Sequence, residues 1–354
     1  MSRKISVLVV DDSAYARTNL SRRLSEDSEL EIIGWAGDGV EAVEKAKELN
    51  PDVITMDIVM PKMDGLDALE AIMKDRPTPV VMVSALTREG ANITIRALEL
   101  GAVDFVLKPG RSTELAVGNV ADDICAKVKM AAAATVRAGA SSTAKRASAS
   151  GPTKRVEIAS GGKDMAVVIG VSTGGPQALR EVLPLFPAST EAAILVVQHM
   201  PAGFTRSLAE RLNEAAKLPV EEAHAGSTVE PGKILIAPGG FHMTISRSRR
   251  VELNDGPTEC GVRPSVNVTM ESVVNVYGAD TIGVLLTGMG NDGTRGAGLI
   301  KAAGGRVVAQ DESTCVVYGM PKSVAEAGYV DRVVKLNRIA AEVGRTSRRQ
   351  SVTA

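Results

Sequence analysis

The stretch Met165-Ala-Val-Val-Ile-Gly-Val-Ser-Thr-Gly-Gly-Pro-Gln-Ala-Leu179 is the one around which the rest of the chain can be read. Its apolar run from Ala166 to Val171 has the length and β-branched content of a buried strand. Gly170, Ser172, Gly174 and Gly175 punctuate the end of that run, and Pro176 stands where a helix can begin. The spacing Gly170-x-Ser172-x-Gly174 is that of a nucleophile elbow. There, small neighbours let a strand turn sharply into a helix and leave the serine hydroxyl exposed beside backbone N–H groups. Such N–H groups, at the positive end of a helix, can stabilise an oxyanion. The same residues also fit a plain glycine-rich turn or a phosphate-binding loop.

At 354 residues the chain is long enough for two domains, each with its own core. Hydrophobic residues make up 44% and charged residues 23%, as in soluble globular proteins. A formal net charge of −1 offers no bulk attraction to nucleic acid or an anionic membrane. One Trp, four Tyr and four Phe leave few rings for stacking on bases, which disfavours single-strand binding. The odd, scattered Cys125, Cys260 and Cys315 suggest a reducing compartment. No apolar run approaches the ~18 residues needed to span a bilayer. The N-terminus meets Asp11-Asp12 too soon for a signal peptide. The expectation is a cytoplasmic protein with no membrane insertion and no nucleic-acid partner.

In the first half, short apolar runs alternate with helical patterns. Strands are expected at 5–10, Glu31–Ala36, Asp52–Met56, Val80–Val83 and Ala102–Leu107, with helices after each, the last from about Ser112 to Lys129. That alternation implies a doubly wound parallel sheet with its site at the strands' carboxyl ends. Asp11, Asp12, Asp57, Ser84 and Lys108 all fall at those ends. Each Asp alone reads as a solvated cap. Three carboxylates in one crevice, however, repel one another, and a hard divalent cation such as Mg²⁺ would relieve that repulsion. One carboxylate could then attack a phosphoryl group while Lys108 and Ser84 bind its oxygens.

Residues 1–125 resemble a response-regulator receiver domain. The resemblance rests on Asp11-Asp12, Met56-Asp57-Ile58-Val59-Met60-Pro61-Lys62-Met63-Asp64-Gly65, Ser84, Phe105 and Lys108-Pro109. It implies that Asp57 is the phosphoacceptor and that Asp11 and Asp12 hold Mg²⁺ with it. It also implies that Ser84 is the switch hydroxyl, where Thr is commoner, and that Phe105 is the aromatic that changes rotamer on phosphorylation. A histidine kinase is the implied phosphodonor.

Residues 126–163 shift to Ala, Ser, Thr, Gly, Lys and Arg, and a flexible tether is expected there. The Lys145-Arg146 and Lys154-Arg155 pairs do not make a nucleic-acid site in a nearly neutral chain with no DNA-reading helix after them. The basic tail, 346–354, is expected to be disordered.

Beyond the elbow, Ala192–Val197 reads as a buried strand ending on Gln198-His199-Met200-Pro201, followed by a helix at Phe204–Ala215. A hairpin-like region is expected next, with Lys233–Ala237 and His242–Ser246 joined by Pro238-Gly239-Gly240. A helix from about Pro264 to Tyr277 leads into a strand at Thr281–Leu286, then a Gly-rich turn, then a helix at Arg295–Ala303. A second doubly wound sheet follows from this, with Ser172, His199 and Asp292 on one rim. A serine hydroxyl needs a base to take its proton, a neutral imidazole suits that task, and a carboxylate can fix the imidazole's tautomer. Of the three His, His199 follows a buried strand, His224 sits in a charged segment, and His242 follows a hairpin turn, where it could be structural or line the cleft. Asp292 can equally be an N-cap for the helix after it. No His/Cys cluster in this half has metal-ligand spacing.

The order Ser172, His199, Asp292 differs from that of α/β-hydrolases. Residues 164–345 resemble instead the catalytic domain of the chemotaxis protein-glutamate methylesterases. The matching stretches are Gly170-Val-Ser-Thr-Gly-Gly175, Gln198-His-Met-Pro201, Ile236-Ala-Pro-Gly239, Arg263-Pro-Ser-Val266, Leu286-Thr-Gly-Met-Gly-Asn-Asp-Gly293, Ala309-Gln-Asp-Glu312 and Tyr318-Gly-Met-Pro321. Asn267 departs from the usual Asp after Arg-Pro-Ser-Val, removing a charge near the cleft. The resemblance implies hydrolysis of glutamate γ-methyl esters, and deamidation of glutamines, on chemoreceptors through an acyl-enzyme on Ser172. His199 would be base and Asp292 orienter, with backbone N–H groups of Thr173 and Met289 holding the oxyanion. Hydrolysis itself would need no cofactor. Docking of the unphosphorylated receiver over the catalytic rim is the expected regulation. Two rivals are a regulator whose second domain only binds a partner, and an esterase for a small metabolite.

Overall fold

The computed structural model describes residues 3–84, 87–108, 117–134 and 165–352. The chain divides into two compact units, Met1–Ser148 and Ala149–Ala354. The expected tether from 135 onward lies outside the described residues, as does Pro109.

In the first unit the runs of β-branched residues become β1 (Ile5–Val10), β2 (Leu30–Ala36), β3 (Val53–Asp57), β4 (Val80–Ser84) and β5 (Asp104–Leu107). They pair in the order β2-β1-β3-β4-β5, every pair parallel. Val7 to Val10 and Val53 to Met56 are buried, as expected of strands covered on both faces. The helices α1 (Ala14–Ser25), α2 (Gly39–Leu49), α3 (Gly65–Asp75) and α4 (Arg88–Leu100) start at Ser13, Asp38, Asp64 and Thr87, whose side chains accept first-turn N–H groups. The last helix, α5, is described over Val117–Ala133. It runs past residue 125, where the receiver was expected to stop, because Val128 and Ala131 still pack into the core.

The second unit opens with β6 (Met165–Val171) and α6 (Gly175–Val182), with Pro176 in the first turn as the sequence indicates. Then come β7 (Ala192–Gln198), α7 (Phe204–Ala215), β8 (Val220–Glu222), β9 (Ile234–Ile236), β10 (His242–Ile245), β11 (Val251–Asn254) and α8 (Val266–Tyr277). The chain continues through β12 (Thr281–Leu285), α9 (Thr294–Ala302), β13 (Arg306–Gln310), α10 (Met320–Glu326), β14 (Arg332–Val334) and α11 (Ile339–Val352). Seven parallel strands pair in the order β14-β13-β12-β6-β7-β9-β8.

Two expectations are corrected here. The run Ile234–Ile236 does not pair with His242–Ile245; it lies between β7 and β8 in the main sheet. All three of its residues are buried, as suits an interior parallel strand. The hairpin is instead β10 with β11, antiparallel, and its Met243, Ile245 and Val251 pack with Met270 and Val273 of α8. The tail is likewise not disordered from residue 346, since α11 continues to Val352. No Gly or Pro follows Gly344 to interrupt that helix.

Both sheets reverse their strand order once, at β1/β3 in the first unit and at β6/β12 in the second. Such switch points open crevices at the strands' carboxyl ends.

Candidate active site

Ser172 and His199 are neighbours by register. In the parallel pair β6/β7, Val171 faces Gln198, so the next residues of both strands emerge side by side, about 5 Å apart. The Ser172 N–H donates to the Thr287 carbonyl (3.0 Å), and its own carbonyl accepts the Gly175 N–H (2.8 Å) and Gln198 Nε2 (2.9 Å). Ser172 is half-buried, and its hydroxyl makes no hydrogen bond among the described residues. Gly288 lies against it so closely that a Cβ there would come within 2.7 Å of the Ser172 Cβ, which leaves glycine as the residue that fits.

His199 Nε2 lies 2.8 Å from Asp292 Oδ2. Asp292 is 2% exposed, and its carboxylate also accepts Ser265 Oγ (2.8 Å), the Val266 N–H (2.7 Å) and the Asn267 N–H (3.0 Å). These donors form the N-terminus of α8, so Asp292 caps that helix and not the one that follows it in sequence. Burial pushes the Asp292 acid upward, but the bonds from His199 and the two backbone N–H groups outweigh it and hold the carboxyl below its usual range. An ionised carboxylate only accepts, so Nε2 must carry the imidazole proton and Nδ1 the lone pair. That leaves His199 arranged as a base through Nδ1.

The position that sequence reasoning gave Asp292, as cap of the helix after it, falls to Asn267. Its buried Oδ1 accepts the N–H groups of Gly293 and Gly296, each at 2.9 Å, at the start of α9. Asn267 is therefore built into the support of Asp292. His242 is buried, accepting the Ser265 N–H at Nδ1 (3.2 Å) with Nε2 2.9 Å from the Pro257 carbonyl. It braces the N-cap of α8 and does not line the rim as a second base. His224 lies on the surface, with Nδ1 3.1 Å from the Ala225 carbonyl.

Of the two expected oxyanion donors, Thr173 is buried and its carbonyl is gripped by Thr287 Oγ1 (3.0 Å). Met289 follows Gly288 and is 53% exposed, with its N–H giving no hydrogen bond among the described residues. Thr287 is itself fixed by Gln310 Oε1, which accepts its N–H at 2.7 Å. Thr287 and Gln310 carried no sequence signal beyond their place in the quoted motifs.

In the first unit Asp11 follows β1, Asp57 ends β3 and Lys108 follows β5. Lys108 Nζ lies 2.7 Å from Asp57 Oδ2 and 2.9 Å from Asp11 Oδ2. Burial raises the Asp57 acid, and the neighbouring Asp11 charge adds to this against the counter-pull of Lys108. Lys108 stays protonated because its two carboxylate partners outweigh burial. Oxygen atoms of Asp11, Asp12 and Asp57 all lie within 4.8 Å of one another, an oxygen-only donor set of the kind a hard divalent cation takes. Glu259, Cys260 and Asp292 are grouped as closely. There, however, both Asp292 oxygens already accept hydrogen bonds and Arg295 engages Glu259.

Ser84 and Phe105, the other two residues expected to serve the first site, are both turned inward. Ser84 is fully buried, with Thr94 Oγ1 at 2.8 Å from its hydroxyl. Thr94, in mid-α4, was not foreseen, since a helical Thr has no local signal of such a contact. Phe105 is buried, and Lys127 Nζ stands 5.3 Å from its ring centroid.

Residues 167–343 match the CheB methylesterase family and residues 7–117 the response regulator receiver domain family. The chain is 48% identical over 353 residues to a protein-glutamate methylesterase/protein-glutamine glutaminase of Symbiobacterium thermophilum, covering 98% of each chain. The chain belongs to the CheB methylesterase family. A relative of the same description from Pyrococcus horikoshii is 46% identical over 350 residues, covering 96% of this chain and 92% of that one. The Thermotoga maritima CheB methylesterase catalytic domain superposes with a TM-score of 0.50 at 46% identity, covering 52% of this chain and 98% of that domain. Among the described residues no helix is long and apolar enough to cross a membrane.

Proposed function

We propose that this protein hydrolyses glutamate γ-methyl esters, and deamidates specific glutamines, on the cytoplasmic helices of chemoreceptors. The observation that carries the reading is the 2.8 Å bond between His199 and a carboxylate seated on a helix N-terminus, at the rim where Ser172 emerges. The relatives' shared description supports the ester and amide chemistry.

In this reading Ser172 Oγ attacks the ester carbonyl carbon as its proton passes to His199 Nδ1. Asp292 stabilises the imidazolium, and the N–H groups of Thr173 and Met289 receive the oxyanion. The C–O bond to methoxide breaks, and methoxide takes the proton from His199 and leaves as methanol. Water, deprotonated by the same imidazole, then attacks the acyl-enzyme, returning glutamate and free Ser172. With glutamine the leaving group is ammonia.

Regulation would come through Asp57, whose carboxylate accepts a phosphoryl group from a histidine kinase. Asp11, Asp12 and Asp57 would hold Mg²⁺. Bound there, it would offset the carboxylates' mutual repulsion and the charge on the phosphoryl oxygens. Lys108 supplies a second positive charge at the same spot. Phosphorylation would then raise the esterase rate severalfold.

The test compares methanol release from methylated receptor with hydrolysis of a p-nitrophenyl ester, with and without acetyl phosphate. Preference for the receptor, enhanced by the phosphodonor, is the expected result. Preference for the small ester would move the substrate class to a metabolite, and no hydrolysis of either would leave a binding domain.

A further inference from the structure

Gln198 ends β7 and is 2% exposed, with its side chain folded back between the two residues named above as nucleophile and base. Its Nε2 donates both hydrogens, one to the Ser172 carbonyl at 2.9 Å and one to the His199 carbonyl at 3.1 Å. Its Oε1 is buried without a partner. Turning the amide over would set that oxygen against two carbonyl oxygens, so the donor side is fixed by what it faces. Space is equally committed, since a Cβ on Gly175 would come 1.9 Å from Oε1.

A residue kept only to fill this volume would gain from being apolar, because an unpaired buried acceptor is unfavourable. Backbone satisfaction does not explain it fully either, as the Ser172 carbonyl already accepts the Gly175 N–H at 2.8 Å. What a single amide achieves here is a fixed span between two peptide groups on neighbouring strands. Those peptides set the direction of the Ser172 and His199 side chains.

We propose that Gln198 is a positioning residue that holds Ser172 and His199 in register for proton transfer. The proposal rests on the reading of those two residues as nucleophile and base. Hydrolysis depends steeply on such spacing, and a displacement of about 1 Å can cost about 100-fold in rate.

Two variants of the full chain test it. Gln198→Met keeps the side chain's length and removes both donors and the orphan oxygen. It should lower kcat for methanol release by about 10- to 100-fold with KM within about twofold, and leave the unfolding midpoint unchanged or higher. Gln198→Glu should work partially in acid, where a protonated carboxyl can donate to one carbonyl, and fail as it ionises. Its rate relative to wild type should therefore fall as pH rises from 5 to 8, a dependence that a packing role would not produce. A Met variant with wild-type kcat, or a Glu variant at a constant ratio to wild type, would overturn the proposal. Ser172 labelling by a fluorophosphonate, read by intact mass, gives the same comparison without any methyl ester. Slower labelling of the Met variant supports the positioning role even if the receptor proves the wrong substrate. Equal labelling rates overturn it. Wild-type Ser172 that never labels would overturn the nucleophile reading itself.

Discussion

Asp57 ends β3 and Asp292 lies in the loop after β12, each strand flanking the switch point of its parallel sheet, and the two are almost equally hidden, at 5% and 2% exposed. Their acidities nevertheless move in opposite directions. Asp57 receives one backbone N–H, from Ile58, and shares Lys108 with a second carboxylate, Asp11, so burial prevails and its acid is raised. Asp292 receives two backbone N–H groups, a hydroxyl and an imidazole, and its acid is lowered. The lesson is that topology selects where chemistry happens, while the local donor count selects which chemistry. A carboxylate short of donors suits a phosphoryl group and a cation. One saturated with donors suits an unchanging negative charge behind an imidazole.

The largest expected effect comes from removing the imidazole. His199→Gln should lower the methanol-release rate by roughly 10⁴- to 10⁶-fold with the fold retained by circular dichroism. Asp292→Asn should cost roughly 10⁴-fold, because the Asn amide can leave the wrong nitrogen of His199 protonated.

The same comparison predicts opposite stability changes. A carboxyl depressed on folding stabilises fully above its unfolded value near 4, and loses that contribution as pH falls through the depressed value. Asp292→Asn should therefore lower the second unit's unfolding midpoint at pH 7, with the gap closing in acid. Asp57, raised on folding, costs stability once ionised, and that cost disappears as pH falls through the raised value. Asp57→Asn should raise the first unit's midpoint at pH 7, again with a gap that closes in acid, and should abolish phosphoryl incorporation. Thermal unfolding between pH 3 and 7 checks both.

The smallest effect is expected from Asn267→Asp. It keeps an acceptor for Gly293 and Gly296 but sets a second carboxylate near Asp292, making this site resemble the receiver's. Methanol release at neutral pH should change by no more than about fivefold, or about 1 kcal/mol.

The strand-to-loop junctions were legible because buried parallel strands write themselves as apolar runs broken by Gly or a polar residue. This places Asp11, Asp57, Ser84, Lys108, Ser172 and His199 at or just beyond strand ends from the sequence alone. Asp292 could be placed on the rim, but its seat could not. The local pattern Asn291-Asp292-Gly293 reads as a cap for α9, whereas its partners Ser265, Val266 and Asn267 lie some 25 residues away. Thr94, Thr287 and Gln310 share that problem, being polar residues whose meaning depends on a partner elsewhere in the chain: the Ser84 hydroxyl for Thr94, and distant backbone groups for the other two. The strand β8 was missed because Val220-Glu-Glu222 is short and charged, as edge strands are.

Methanol release from methylated receptor by the full chain, wild type against Ser172→Ala, tests the central claim most directly. The account predicts release by wild type and none above background in the variant, with the two proteins unfolding at the same temperature. Equal release by the two would contradict it, and would leave the His199–Asp292 pair without a nucleophile to serve.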